Sequence, residues 1–247
     1  GIGVWISGFF GSGKSHFLKM LSYILENKQI GSSKTVEMFK EKLAASPKLY
    51  SLMEQATAVD TEAILFNIDI EGTSEKDSTA VMRVFAKMFY NHLGFFGENL
   101  KVARFEFYLY QDGKTEEFRR VFKEKSGKDW TVGRRAFKLQ ARYIVPTLME
   151  VFGLEEEDAK KWFRDDEKYD FSIAALVDDI KYYIDTKPAN FRLLFMIDEM
   201  GQYVGSDREH LLNLQSVVEK IGSTCGNRVW VMCTGQQALD KVIKLRN

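Results

Sequence analysis

Two hydrophobic periodicities alternate along the chain. Residues 1–7 (GIGVWIS) form a short run rich in β-formers, followed by a glycine-rich turn and an apolar-periodic stretch over 14–26. That pattern predicts strand, loop and helix. Residues 35–45 and 48–58 carry helical periodicity, broken at Ser46-Pro47 because proline disfavours helix at the residue before it. Residues 64–70 (ILFNIDI) predict a second strand, whose nearly continuous aliphatic side chains suit a sheet covered on both faces, with Gly72 closing it. From 73 to 190 only helical periodicity recurs, over 78–92, 100–111, 115–126, 131–151, 155–165 and 172–186. Asp112-Gly113, Gly127, Gly153 and Pro188 punctuate it. Residues 192–197 (RLLFMI) and 228–233 (RVWVMC) predict the third and fourth strands, with an amphipathic helix over about 209–222 between them.

Strands alternating with helices imply an α/β fold with a parallel sheet and right-handed crossovers. The helical block is too long for one crossover and reads as an inserted subdomain. The expected organisation is therefore a first half of the core over 1–72, a helical insertion over 73–190, and a second half over 191–247. There is no internal repeat or low-complexity tract. The sequence starts inside a strand and stops inside a helical pattern, as a piece of a longer chain would.

Composition narrows the class. With 45% hydrophobic and 28% charged residues in 247, the chain can fill one large core, which excludes a disordered or fibrous protein. Lys plus Arg and Asp plus Glu both number 35, so any basic surface must be local. Neither an 18-residue apolar run nor a secretory leader is present, which points to a cytoplasmic protein with no membrane partner. Cys225 and Cys233 lie in an apolar, glycine-containing stretch without a second pair at metal spacing, and are expected to be reduced and inert.

Gly8-Phe9-Phe10-Gly11-Ser12-Gly13-Lys14-Ser15 matches G-x-x-x-x-G-K-[ST] at every fixed position, between an apolar strand and an amphipathic helix. Glycines permit the backbone angles and close approach by which the N–H groups of residues 11–15 converge on a β-phosphate. The helix starting near Lys14 adds its positive N-terminus. Lys14 is placed to bridge β- and γ-phosphate oxygens and Ser15 to ligate Mg²⁺. His16 follows directly and either touches the nucleotide or serves the surface and packing.

The strand over 192–197 runs into Asp198-Glu199. Because the carboxyl ends of parallel strands form the ligand crevice, both acids belong beside the loop. Asp198 is expected to hold Mg²⁺ directly or through water, and Glu199 to orient and polarise the attacking water. Asp69 and Glu71 end the second strand and either approach that water or metal or form a solvated strand end. The fourth strand leads into Cys233-Thr234-Gly235-Gln236-Gln237. A polar side chain there can sense the γ-phosphate, with Thr234 first and Gln236 second; the alternative is an ordinary helix start with Thr234 as N-cap.

WISGFFGSGKSHFLKMLSYILEN, LLFMIDEMGQYVGSD and LLNLQSVVEKIGSTCGNRVWVMCTGQQALDKV resemble the large P-loop ATPase of BREX bacteriophage-exclusion systems, the BrxC/PglY family. Its core is similar to AAA+ proteins, including origin-recognition-type ATPases. The resemblance implies a P-loop NTPase sheet flanked by helices. Lys14 and Ser15 become Walker A residues, Asp198 and Glu199 Walker B residues, and Thr234 or Gln236 candidates for sensor 1. It further implies ATP and Mg²⁺ as cofactors, a homo-oligomer, other BREX components as partners, and DNA reached through them or through the insertion. Relative to a complete AAA+ module, the core is truncated before a fifth strand, lid helices, a sensor-2 residue and an arginine finger.

In the insertion, Arg134, Arg135, Lys138 and Arg142 interleave with Phe137 and Tyr143, and positions 135, 138 and 142 share one face of a continuous helix. The stripe either meets a DNA backbone or an acidic partner or is a solvated face, its field partly cancelled by Glu155, Glu156, Glu157, Asp158, Asp165 and Asp166. Phe85, Phe89, Phe105, Phe107, Tyr108, Phe118 and Phe122 recur at helical spacing, as core residues do. Three functional readings follow: an ATPase hydrolysing MgATP to drive a multi-protein assembly, a nucleotide-gated scaffold with negligible turnover, and a DNA-binding module with a vestigial loop.

Overall fold

A computed structural model describes residues 1–71, 79–164, 171–205 and 208–237. The chain opens with β1 (Gly3–Ser7) and α1 (Lys14–Leu25), then a two-residue-per-strand hairpin, β2 (Gln29–Ile30) with β3 (Ser33–Lys34). α2 (Pro47–Thr57), β4 (Thr61–Asn67), the single turn α3 (Ile68–Glu71) and α4 (Ala80–His92) follow. The helical stretch continues as α5 (Leu100–Gln111), α6 (Thr115–Ser126), α7 (Trp130–Gly133), α8 (Ala141–Phe152), α9 (Glu156–Arg164) and α10 (Ile173–Asp185). β5 (Arg192–Asp198), α11 (Met200–Gly205), α12 (Arg208–Cys225) and β6 (Val229–Gly235) complete it.

β1, β6, β5 and β4 lie side by side in that order, every neighbouring pair parallel. This is the α/β fold with a parallel sheet flanked by helices that the alternation of elements predicts. Residues 193–197 of β5 are all buried, as a strand covered on both faces must be. On one face Leu194 and Met196 pack with Leu18 of α1. On the other, Phe195 lies 5.0 Å from Phe85 of α4, ring centre to ring centre. Asn213 of α12 accepts a 2.9 Å hydrogen bond from the Met82 N–H there, satisfying a buried donor. The Glu26 carboxylate, just past α1, accepts the Ala63 N–H of β4 at 3.0 Å.

The chain divides into two compact units, one of residues 1–85 with 173–247 and one of residues 86–172, so the first boundary falls inside α4 and α10 belongs with the sheet. The helical unit is built on aromatic contacts. Trp130 meets Phe118 at 5.0 Å and Phe122 at 5.1 Å, both edge to face, the geometry favoured by ring quadrupoles. Gly133 is required there, since a Cβ would stand 2.6 Å from the Phe122 ring. At the unit's centre Glu106, 3% exposed, accepts hydrogen bonds from Trp130 Nε1, Arg134 Nη1 and the Phe96 N–H.

Five expectations about local structure are corrected. Residues 35–45 form a 3₁₀ turn (Glu37–Phe39) and further turns in place of a helix. The Val36 N–H is taken by Asn27 Oδ1, the Thr35 hydroxyl donates to the Lys28 carbonyl, and Glu37 accepts the Lys34 N–H, all bonds that compete with helix. β4 ends at Asn67, three residues early, because the Asn67 side chain accepts the Asp69 N–H and turns the chain into α3. The helix over 131–151 is three pieces, with a 3₁₀ segment (Arg134–Gln140) and non-helical Ala136 between α7 and α8. Three-residue winding aligns Arg134 and Phe137, and both turn inward, so 135, 138 and 142 do not share one helical face. Tyr108 is 52% exposed, whereas the other six aromatics of that series are buried. Gly72, Ser78, Asp165 and Asp166 lie outside the described residues.

Among the described residues no helix is long and apolar enough to cross a membrane. None of their His, Cys, Asp and Glu side chains form a group of three able to hold a metal by themselves.

Candidate nucleotide site

β1 delivers the glycine-rich loop and β5 the acid pair to the same end of a parallel sheet, and β6 lies between them. The loop is held by its own backbone. Gly8 N–H bonds to the Gly235 carbonyl of β6 at 3.3 Å, and the Ser12 N–H closes a turn onto the Phe9 carbonyl at 3.1 Å. Ser12 is thus a departure from the expected ring of donors, since its N–H is spent inside the loop. Gly8 admits no side chain, because a Cβ would lie 2.7 Å from Ser12 Oγ. Gly11 and Gly13 adopt φ of 75° and 85°, the left-handed region that glycine enters without penalty. Gly13 is the residue before α1, whose first turn carries neither a side-chain cap nor an acid.

That uncapped turn, opening from a cradle that a Cβ at Gly8 would fill, fits a phosphate: free N–H groups and the helix dipole attract an anion. Lys14 Nζ donates to the Phe9 carbonyl at 3.1 Å, folding back over the loop. Ser15 and His16 are exposed on the first turn. Phe9 and Phe10 stand 88% and 85% exposed.

The acid corner is organised differently. Thr234, fully buried near the end of β6, donates its hydroxyl hydrogen to Asp198 Oδ1 at 2.6 Å and accepts the Glu199 N–H at 2.9 Å. The hydroxyl is therefore engaged on both sides by the acid pair. Thr234 lies within β6, and residues 235–237 continue as strand and bend, which corrects the reading of Thr234 as the N-cap of a helix. Gln236 is exposed just beyond the strand. Asp198 retains Oδ2, and a carboxylate oxygen with a serine hydroxyl is the hard-donor chemistry that suits Mg²⁺.

Glu199 sits at φ 59°, in the left-handed region a side chain enters at a cost of about 1–3 kcal/mol. The turn is fixed by close packing. A Cβ on Gly201 would lie 2.6 Å from Gly235 Cα, and one on Gly235 2.5 Å from the Trp5 ring, so α11 rests directly on β6 and β1. Trp5 is itself anchored, its indole N–H donating to the Gln237 carbonyl at 2.9 Å. Gln202 Nε2 donates to Glu199 Oε2 at 2.6 Å. Gln202, Gly201 and Trp5 were not singled out by sequence reasoning; a glutamine three residues after a helix-starting acid is the spacing of a capping pair, and was the available signal. Asp69 and Glu71 stand on α3, past the end of β4.

The sequence matches the KAP family P-loop domain over residues 1–242. The chain belongs to that family. No solved structure matches it. As a KAP P-loop domain it is an NTPase fold, and its nucleotide-binding loop and parallel sheet are the parts that the residues above supply.

Proposed function

We propose that this KAP-family domain binds MgATP at the loop over 8–15 and hydrolyses it by attack of water. The observation that carries the proposal is the Thr234 bridge, which fixes Asp198 and the Glu199 backbone at the strand ends beside the loop. Gly8, Gly11, Ser12 and Gly13 shape the cradle, and Lys14 exchanges its bond to the Phe9 carbonyl for phosphate oxygens. Ser15 and Asp198 would hold Mg²⁺, which supplies neutralisation of charge on the phosphate oxygens when bound. Glu199 accepts the proton of the water whose oxygen bonds to the γ-phosphorus. The bond from that phosphorus to its bridging oxygen breaks, and ADP leaves with the electron pair. Thr234 acts by holding the acids, and Gln236, exposed, remains the candidate for contact with the γ-phosphate.

The resemblance to the BREX P-loop ATPase supports a further reading of the work done: hydrolysis drives assembly or rearrangement of a cytoplasmic, oligomeric phage-defence complex acting on DNA. The test is phosphate release from MgATP by the full-length protein, wild type beside Glu199→Gln, over a concentration series. Turnover that rises with protein concentration and vanishes in the variant supports an assembly-dependent ATPase. Measured ATP binding with background turnover in both proteins instead makes the domain a nucleotide-gated scaffold.

A further inference from the structure

The acid corner contains a polar contact that hydrolysis by Glu199 and Mg²⁺ does not itself require. Gln202 is exposed on the first turn of α11, yet its amide is held against Glu199 Oε2 at 2.6 Å. Three constraints fix the backbone that carries that amide. The Glu199 N–H is tied to Thr234, so the base's backbone cannot rotate without leaving a donor unpaired. The Glu199 carbonyl accepts the Gln202 and Tyr203 N–H groups at 3.1 and 3.3 Å, which locks the start of α11 onto the same residue. Gly201, between them, lies too close to Gly235 and Trp5 for the turn to slide along β6. The amide is therefore delivered by a rigid backbone, and the carboxylate it meets is carried by a strained one.

We propose that Gln202 is a positioning residue for Glu199: its amide N–H fixes the carboxylate by Oε2 and leaves Oε1 as the oxygen that receives the water's proton. The inference rests on the reading of Glu199 as the water-activating group. A carboxylate on a flexible side chain has several rotamers, and selecting one before substrate arrives raises the fraction of complexes in reactive geometry. Gln202 touches neither nucleotide nor water in this role. It acts through Glu199 alone, so its removal changes kcat and leaves ATP affinity in place.

The test compares three variants of the full-length protein in MgATP hydrolysis, with ATP binding measured separately. Gln202→Met keeps the length and helical preference of the side chain and removes the donor. Gln202→Lys restores a donor of different shape at the same i,i+3 spacing. Expected are a fall in kcat of about ten- to a hundredfold in Gln202→Met with KM unchanged, and recovery of most of that loss in Gln202→Lys. A packing role gives the opposite order, with the methionine tolerated and the lysine not, and overturns the proposal. Wild-type kcat in Gln202→Met also overturns it, and a raised kcat does so by making Gln202 a brake. Glu199→Gln separates the two layers. If that variant hydrolyses ATP normally, the assignment of the base fails; if it is inactive while Gln202→Met is unimpaired, only the positioning role fails.

Discussion

Between residues 8 and 15 the chain holds its shape with backbone turns and leaves Phe9 and Phe10 almost wholly in solvent, whereas at the ends of β5 and β6 side-chain hydrogen bonds join Thr234, Asp198, Glu199 and Gln202. In the loop the Lys14 ammonium rests on a backbone carbonyl. In the acid corner Thr234, Asp198, Glu199 and Gln202 are linked end to end, over glycines packed against Trp5. The contrast separates two tasks. On the proposed reading, a loop that admits a polyanionic phosphate chain keeps the first-turn donors open, and a base that meets water in one geometry is fixed beforehand.

The sharpest way to break this division is to remove one member from each side. Glu199→Gln is expected to lower kcat by about 10²–10⁴-fold while ATP binding persists, read as phosphate release beside fluorescent-nucleotide binding. Lys14→Ala should instead lose binding together with turnover, and a Lys14→Ala protein that still binds ATP tightly would remove the loop from the site.

A second comparison uses the helical unit, whose buried Glu106 serves as an internal control for what a fully partnered acid is worth. Glu106→Ala leaves the Arg134 guanidinium, the Trp130 N–H and the Phe96 N–H without their acceptor, and should destabilise that unit by about 3–5 kcal/mol. Amide exchange over α5 to α8 would report it, and unchanged protection there contradicts the hub. Thr234→Val should cost less, about 1–3 kcal/mol in denaturant unfolding, because one buried N–H is orphaned; it should also lower kcat. A Thr234→Val protein with full activity would show that the acids hold their places unaided.

The smallest effect concerns the thiols. Burial pushes the Cys225 thiol up to about 11 and the Cys233 thiol up to about 12. Both stay neutral in the folded chain at pH 8, so maleimide should label neither until denaturant exposes them. The sign of the linkage follows. Unfolded thiols ionise near pH 8.5 to 9 and folded ones only at the raised values, so this contribution to stability is full below that range and declines as pH rises through it. Rapid labelling of native protein at pH 8 would contradict the burial of these two residues.

Much of this was readable from residue order and some was not, for physical reasons. The loop at 8–15 and the pair Asp198-Glu199 were legible because their chemistry needs fixed residue types at fixed spacing beside a strand. The Thr234 bridge was not, because it depends on β6 inserting between β1 and β5, and lateral order leaves no trace in periodicity. Residues 35–45 misled because helical periodicity was outweighed by side-chain bonds from Asn27 and to Lys28. The basic stripe misled because Arg134 had a buried acid to meet in α5, 28 positions earlier in the chain, and winding adjusted to bring it there. Gln202 needed the left-handed turn at Glu199 to become visible as a neighbour.

Glu26 shows how one carboxylate protects a fold from its own kind. β4 closes one side of the sheet, and a strand in that place offers unpaired N–H groups to any extended chain that drifts past. By occupying the Ala63 N–H, Glu26 removes a rung that an invading strand would need, and its other oxygen, held by Lys28 Nζ at 2.8 Å, keeps an ion pair at that edge. An acid that reads in sequence as a polar helix end thus guards the edge of the sheet against edge-to-edge aggregation.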